Sequence, residues 1–180
     1  MKSIILTGPK ASGKTSAGKS LAPLYKCRFI DLDELIFQRT GKTPRQLYID
    51  GSAVFQNAEA DAVQSLASAD SADAGKEPIQ IVSAGGGIID NPEAAATLKK
   101  LDAVIVYLSI SADSAWNRIN ASVTKTGELP PFLQTDNPRE THRILHERRA
   151  AAYLQAADLS VDAEGKTPDE IASEIFKHYV

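Results

Sequence analysis

The residues whose types and spacing most constrain the chemistry of this 180-residue chain lie near its amino end, in the run Gly8-Pro9-Lys10-Ala11-Ser12-Gly13-Lys14-Thr15-Ser16. Two glycines five apart followed by Lys and Thr match the G-x-x-x-x-G-K-[ST] phosphate-binding pattern, and the apolar Ile4-Ile5-Leu6 before it supplies the strand the pattern requires. Gly8 and Gly13 let the backbone curl with its N–H groups inward, and the following helix adds the positive end of its dipole. Phosphate oxygens can replace water in such a cradle. Lys14 then reaches the β- and γ-phosphates of a nucleotide, and the Thr15 hydroxyl completes the coordination of Mg²⁺. The expected nucleotide-binding set is Gly8, Lys10, Ala11, Ser12, Gly13, Lys14, Thr15 and Ser16.

A second set is acidic. Arg28-Phe29-Ile30-Asp31-Leu32-Asp33 reads as a short strand ending in two aspartates two positions apart. In an extended segment these carboxylates share a side, at the sheet edge that also carries the phosphate loop. The plainer reading makes Asp33 a cap for a helix starting at Glu34. The strands at 79–83 and 103–108 do not end in acids, so a carboxylate for the metal shell beside Thr15 is expected from Asp31 or Asp33. Gly85-Gly86-Gly87 follows the former strand directly and is open to two readings, a plain turn or a close approach of ligand to backbone. His142 and His146 lie four apart on a helix but lack a third ligand, so no metal is assigned to them.

The elements that must position these residues alternate. Strands are expected at 4–7, 28–33, 79–83, 103–108 and 158–161, with helices between them. That order predicts a parallel sheet in a three-layer α/β/α domain with right-handed crossovers. Helical stretches after Asp33 extend to about residue 67, and 67–78, rich in Ala, Ser and Asp, reads as a surface loop. Pro23 kinks or ends the first helix. Trp116 and Cys27 read as core packing, and 121–137, without periodicity, reads as a lid. Hydrophobic content of 43%, charged content of 24% and a net charge of −3 fit a soluble globular domain and give no reason to expect nucleic acid. The expected protein is cytoplasmic, with no secretory signal, no membrane span and no internal disulfide.

Taken in order, these residues resemble the shikimate kinases, a branch of the nucleoside-monophosphate-kinase-like P-loop proteins. The likeness rests on Gly8 to Thr15, Asp31-Leu32-Asp33, Arg39-Thr40-Gly41-Lys42, Gly51 to Glu59, Gly85-Gly86-Gly87, Arg118, and Arg149 four residues before Tyr153. It implies a five-stranded parallel sheet of order 2-3-1-4-5, with a helical acceptor-binding insert at about 32–66 and a lid at about 121–137. It also implies a monomer that transfers the γ-phosphoryl of ATP, with Mg²⁺, to the ring hydroxyl of shikimate in aromatic amino-acid biosynthesis. Catalytic roles fall on Lys14, Asp33 and Asp31, and of the two aspartates the resemblance implies Asp31 for the metal shell. Arg118 meets the adenine, and Asp33, Gln56, Gly85, Gly86, Gly87 and Arg149 meet the acceptor.

Two positions depart from the family pattern. Gln56 stands where an arginine pairs the acceptor carboxylate, and Pro130 stands where the lid carries an arginine. Lys125 or Arg139 is the expected replacement for the lid cation, and Arg45 for the arginine lost at Gln56. Gln56 also motivates another small hydroxylated metabolite as acceptor. Pro130 motivates a catalytically impaired ATP-binding regulator, which the intact Lys14, Thr15, Asp31 and Asp33 oppose.

Overall fold

Every residue of β1 (Ser3–Thr7) is buried, as a central strand covered on both faces must be. In this computed structural model, which describes residues 3–71 and 80–179, β1 is flanked by β3 (Gln80–Ser83) and β4 (Ala103–Ser109). β2 (Phe29–Asp31) and β5 (Leu159–Asp162) complete the edges, so the five described strands run in the order β2-β3-β1-β4-β5 with every pair parallel. Alternation along β1 divides the core. Ile4 and Leu6 pack with α1 (Lys14–Tyr25) and α8 (Pro168–Tyr179), whereas Ile5 packs with α2 (Leu32–Thr40), α4 (Ser52–Ser71) and α5 (Pro92–Leu98). The expected sheet order and α/β layering are present.

Local signals set the helix ends. Gly41, at φ 70°, closes α2, and Thr43 with Gln46 forms a capping box that opens α3 (Pro44–Asp50). Pro23 is accommodated in the last turn of α1, and the chain leaves the helix through Lys26 in a left-handed conformation. Cys27 is only half-buried, at the rim of the core.

Three expected boundaries move. Asp33 is not on a strand: β2 stops at Asp31, which caps α2 by accepting the Asp33 N–H at 3.0 Å. The cap satisfies a free helical N–H, and this local bond turns the chain before Asp33 can extend the strand. α4 continues to Ser71, so 67–71 is helical rather than loop, and 72–79, including Ile79, lies outside the described residues. α6 (Ala112–Thr126) runs six residues past Asn120 and ends only where Gly127 adopts φ 81°. The irregular part of the expected lid is therefore 127–137, with one 3₁₀ turn at Pro131–Leu133 before α7 (Pro138–Ala156).

Candidate functional site

The phosphate loop joins β1 to α1. Gly8 sits at φ 138°, and a Cβ there would lie 2.6 Å from the Leu108 carbonyl oxygen of β4, so only glycine fits. Ala11, at φ 67°, adopts the left-handed conformation without being glycine, a strain the sequence gives no hint of and one of a kind that concentrates at functional turns. α1 starts without a side-chain cap, which leaves its first N–H groups free for an anion.

Lys14 is buried, and its Nζ donates to the carbonyls of Gly8 at 2.9 Å and Pro9 at 2.8 Å. Burial lowers its pKa to about 8, partly opposed by the charges of Asp33 and Asp31. The Thr15 hydroxyl donates to Asp31 Oδ2 at 2.7 Å and lies 3.3 Å from Ser83 Oγ. Asp31 thus spends one oxygen on the α2 cap and the other on the phosphate loop, which ties β2 to α1.

Lys10, Ala11, Gly13, Lys14, Thr15, Ser16, Asp31, Asp33, Ser83, Ala84, Gly85 and Gly86 line one cavity of about 220 Å³. The two aspartates meet there even though one ends a strand and the other begins a helix. Burial among these atoms and the Asp31 charge raise the Asp33 pKa, while Lys10 and Lys14 lower it. Ser12 is buried beneath the loop, and Arg118 of α6 donates to the Ala11 carbonyl at 3.1 Å from outside.

The glycine run is packed against other parts of the chain. A Cβ on Gly86 would lie 3.0 Å from the Lys10 backbone nitrogen, and one on Gly87 would lie 3.4 Å from Arg149 Nη2. The Gly86 carbonyl accepts from Arg149 Nη1 at 3.1 Å and from the Tyr153 hydroxyl. Arg149 also lies 5.8 Å from the centre of the Phe132 ring, which brings the 131–133 turn against α7.

Three contributors escaped the sequence reading. Asp90 accepts from Arg149 and Arg148, and although burial opposes it, these partners hold its carboxyl below the usual range. Glu59 is 1% exposed; Asn91 donates to its Oε2 at 3.0 Å, while its Oε1 has no hydrogen-bond partner among the described residues and lies toward Gly85. Burial pushes the Glu59 carboxyl up to about 7. Tyr153 stacks on Tyr107 and is fully buried. Each works through contacts distant in sequence; Glu59 and Tyr153 appear in the sequence only as part of the family likeness, and Asp90 carried no signal there.

The family model of shikimate kinase matches residues 10–180. The chain belongs to the shikimate kinase family. It is 32% identical over 180 residues to the shikimate kinase of Thermodesulfovibrio yellowstonii, covering 99% of this chain and 95% of that one. It is 33% identical over 176 residues to that of Pelotomaculum thermopropionicum, covering 97% and 94%. Among solved structures, shikimate kinase from Acinetobacter baumannii in complex with shikimate superposes with a TM-score of 0.83 at 25% identity, covering 99% of this chain and 92% of that one. The Aquifex aeolicus shikimate kinase superposes with a TM-score of 0.76 at 28% identity, covering 97% and 94%.

Within this shikimate kinase fold the two departures have definite surroundings. Gln56 is half-buried near the start of α4, one turn before Glu59, and its carbonyl accepts from Asn91 at 2.8 Å. Pro130 is buried and leads into the 131–133 turn. Arg139 pairs with Asp113 beside a separate cavity of about 280 Å³ that Trp116 also lines, and Arg45 pairs with Glu128. Trp116 is half-buried there, its ring 5.6 Å from that of His142. The side chain of Lys125 lies outside the described residues.

Proposed function

We propose that this chain catalyses transfer of the γ-phosphoryl group of ATP to the ring 3-hydroxyl of shikimate, giving shikimate 3-phosphate and ADP. One observation carries the reading: a phosphate loop with a buried lysine and a carboxylate fit to receive a hydroxyl proton open into the same cavity, with Arg149 and the Gly85–Gly87 backbone at its rim. The family membership and the superposition on a shikimate complex support it.

In this reading the phosphate loop backbone and Lys14 bind the β- and γ-phosphates, with Arg118 against the adenine. Asp33 accepts a hydrogen bond from the attacking hydroxyl. As the hydroxyl oxygen bonds to the γ-phosphorus, the bond from that phosphorus to the bridging oxygen breaks, the electron pair leaves with ADP, and the hydroxyl proton passes to Asp33. Arg149 holds the acceptor carboxylate, and Gln56 faces it from α4. The 32–66 insert and the 127–137 segment close over the reacting groups and exclude water.

The oxygen donors of Thr15 and Asp31 suit a hard cation, so they would hold Mg²⁺, directly or through its waters. When bound, Mg²⁺ neutralises phosphate charge. The enzyme acts as a monomer in the cytoplasm; among the described residues no helix is long and apolar enough to cross a membrane.

Coupled assay of ADP release with shikimate as the varied acceptor tests the proposal. Turnover is expected with shikimate, and ADP release that ignores shikimate would refute it. Gln56 favours one second reading, a different small hydroxy acid or polyol as acceptor. A panel of such compounds, with shikimate inert and another active, would select that reading instead.

A further inference from the structure

Loss of the lid arginine removes one cation from the acceptor side of the transferring phosphoryl group, and among the described residues the other arginines near the lid and the acceptor are already paired. Arg139 is held by Asp113 and lines the other cavity, and Arg45 is held by Glu128. Asp90 engages both Arg148 and Arg149. We propose that the ammonium group of Lys10, on the phosphate loop itself, takes the place of the lid arginine and neutralises charge on the γ-phosphoryl group from the acceptor side.

Three observations converge on Lys10. It lines the same cavity as Lys14, Thr15, Asp31, Asp33 and Gly86. Its backbone is fixed at the seam between nucleotide and acceptor halves, packed so closely on Gly86 that a Cβ there would sit 3.0 Å from the Lys10 nitrogen. Its side chain is exposed and makes no hydrogen bond or ion pair among the described residues, so its charge is uncommitted.

The role follows from the chemistry of transfer. In the loose transition state, negative charge spreads over the equatorial oxygens of the phosphoryl group, and a fixed cation beside them lowers the barrier. Lys14 and Lys10 line the same cavity, so both ammonium groups can act on those oxygens. An ammonium is a point charge without the planar fork of arginine, so its contribution is expected at the lower end of what an arginine supplies.

This inference rests on the kinase reading above, and one experiment separates the two. Lys10→Met, Lys10→Arg, Lys125→Ala and Arg139→Ala are compared with the native chain for kcat, for KM of ATP and of shikimate, and for binding of ADP with Mg²⁺ and aluminium fluoride in the presence of shikimate, read by calorimetry. Lys10→Met is expected to lower kcat by about 100- to 1,000-fold with both KM values within a few-fold. It should weaken the aluminium fluoride complex by a comparable factor while leaving ADP alone unaffected. Lys10→Arg should recover most of the loss, and the Lys125 and Arg139 variants should stay near the native rate. A Lys10→Met enzyme within three-fold of native kcat, or a loss confined to KM for ATP, would overturn the role of Lys10 alone. A native chain that fails to phosphorylate shikimate would overturn the parent reading and this one together.

Discussion

Arg149 donates its Nε N–H to Asp90 Oδ2 at 2.8 Å, holds Nη2 2.7 Å from the same oxygen, and gives an Nη1 N–H to the Gly86 carbonyl at 3.1 Å. A guanidinium carries five N–H donors, so the terminal nitrogens keep N–H groups for a carboxylate. Asp90 therefore fixes the direction in which Arg149 presents its free edge, and Arg148 at 2.8 Å keeps Asp90 itself in place.

Asp90→Asn follows directly. The amide replaces a charge-assisted fork with a weaker single bond, and Arg149 is free to turn. KM for the acceptor is expected to rise about 5- to 20-fold, matching a loss of roughly 1–2 kcal/mol, with kcat and KM for ATP little changed. A variant whose acceptor KM equals the native value would show that Gly86 alone orients Arg149.

Some of this arrangement was legible in the chain and some was not, for physical reasons. The phosphate loop could be read because its chemistry demands fixed residue types within eight positions, and the apolar runs of β1, β3 and β4 could be read because central parallel strands are buried on both faces. The place of Asp33 could not be read from a period of two. A single bond from its N–H to Asp31 decides whether the chain extends or turns, and both conformations suit the same residues. Asp90 lies 59 residues from Arg149 and Glu59 lies 32 from Asn91, so neither pairing leaves a local pattern. The extension of α6 to Thr126 was hidden because Ser122 and Thr124, poor helix formers, return their hydroxyls to the Ile119 and Ala121 carbonyls.

Glu59 gives a pH dependence of stability. Its carboxyl titrates at about 7 in the fold against 4.5 as the ordinary value, so between these values the folded chain holds a proton that the unfolded chain releases. The contribution of this group to stability is complete below pH 4.5 and declines as the pH rises through 7, by about 3 kcal/mol at most. Glu59→Gln keeps the Asn91 contact and has no charge to bury. Its melting temperature should match the native value near pH 5 and exceed it by several degrees at pH 8. Parallel curves for the two proteins between pH 5 and 8 would place the titration elsewhere.

Lys14 sets an alkaline limb. Its cation is held at about 8 in the absence of nucleotide, so raising the pH through that value removes the charge that meets the phosphates. kcat/KM for ATP, which reports the free enzyme, should fall above an apparent pKa near 8. Bound phosphate oxygens favour the ammonium form, so the corresponding limb in kcat should lie higher. Coincident limbs in the two profiles would mean that nucleotide does not contact Lys14.

Gln56→Arg tests whether the pocket still fits a carboxylated ring. Gln56 stands one turn before Glu59, whose Oε1 has no hydrogen-bond partner among the described residues, so an arginine there would find a carboxylate beside it and would draw Glu59 into its ionised form. Restoring a charge-assisted contact to the acceptor carboxylate contributes about 1.5–3 kcal/mol, and KM for shikimate should fall roughly 10- to 150-fold with little change in kcat. The same substitution should abolish the stability decline between pH 5 and 8, because Glu59 then gains a cation instead of losing a proton in an apolar site. A fall in KM without that change would mean that the new arginine reaches the acceptor while ignoring Glu59. A KM that stays at the native value would mean that the acceptor carboxylate lies out of reach of α4, and that the natural substrate is read by Arg149 alone.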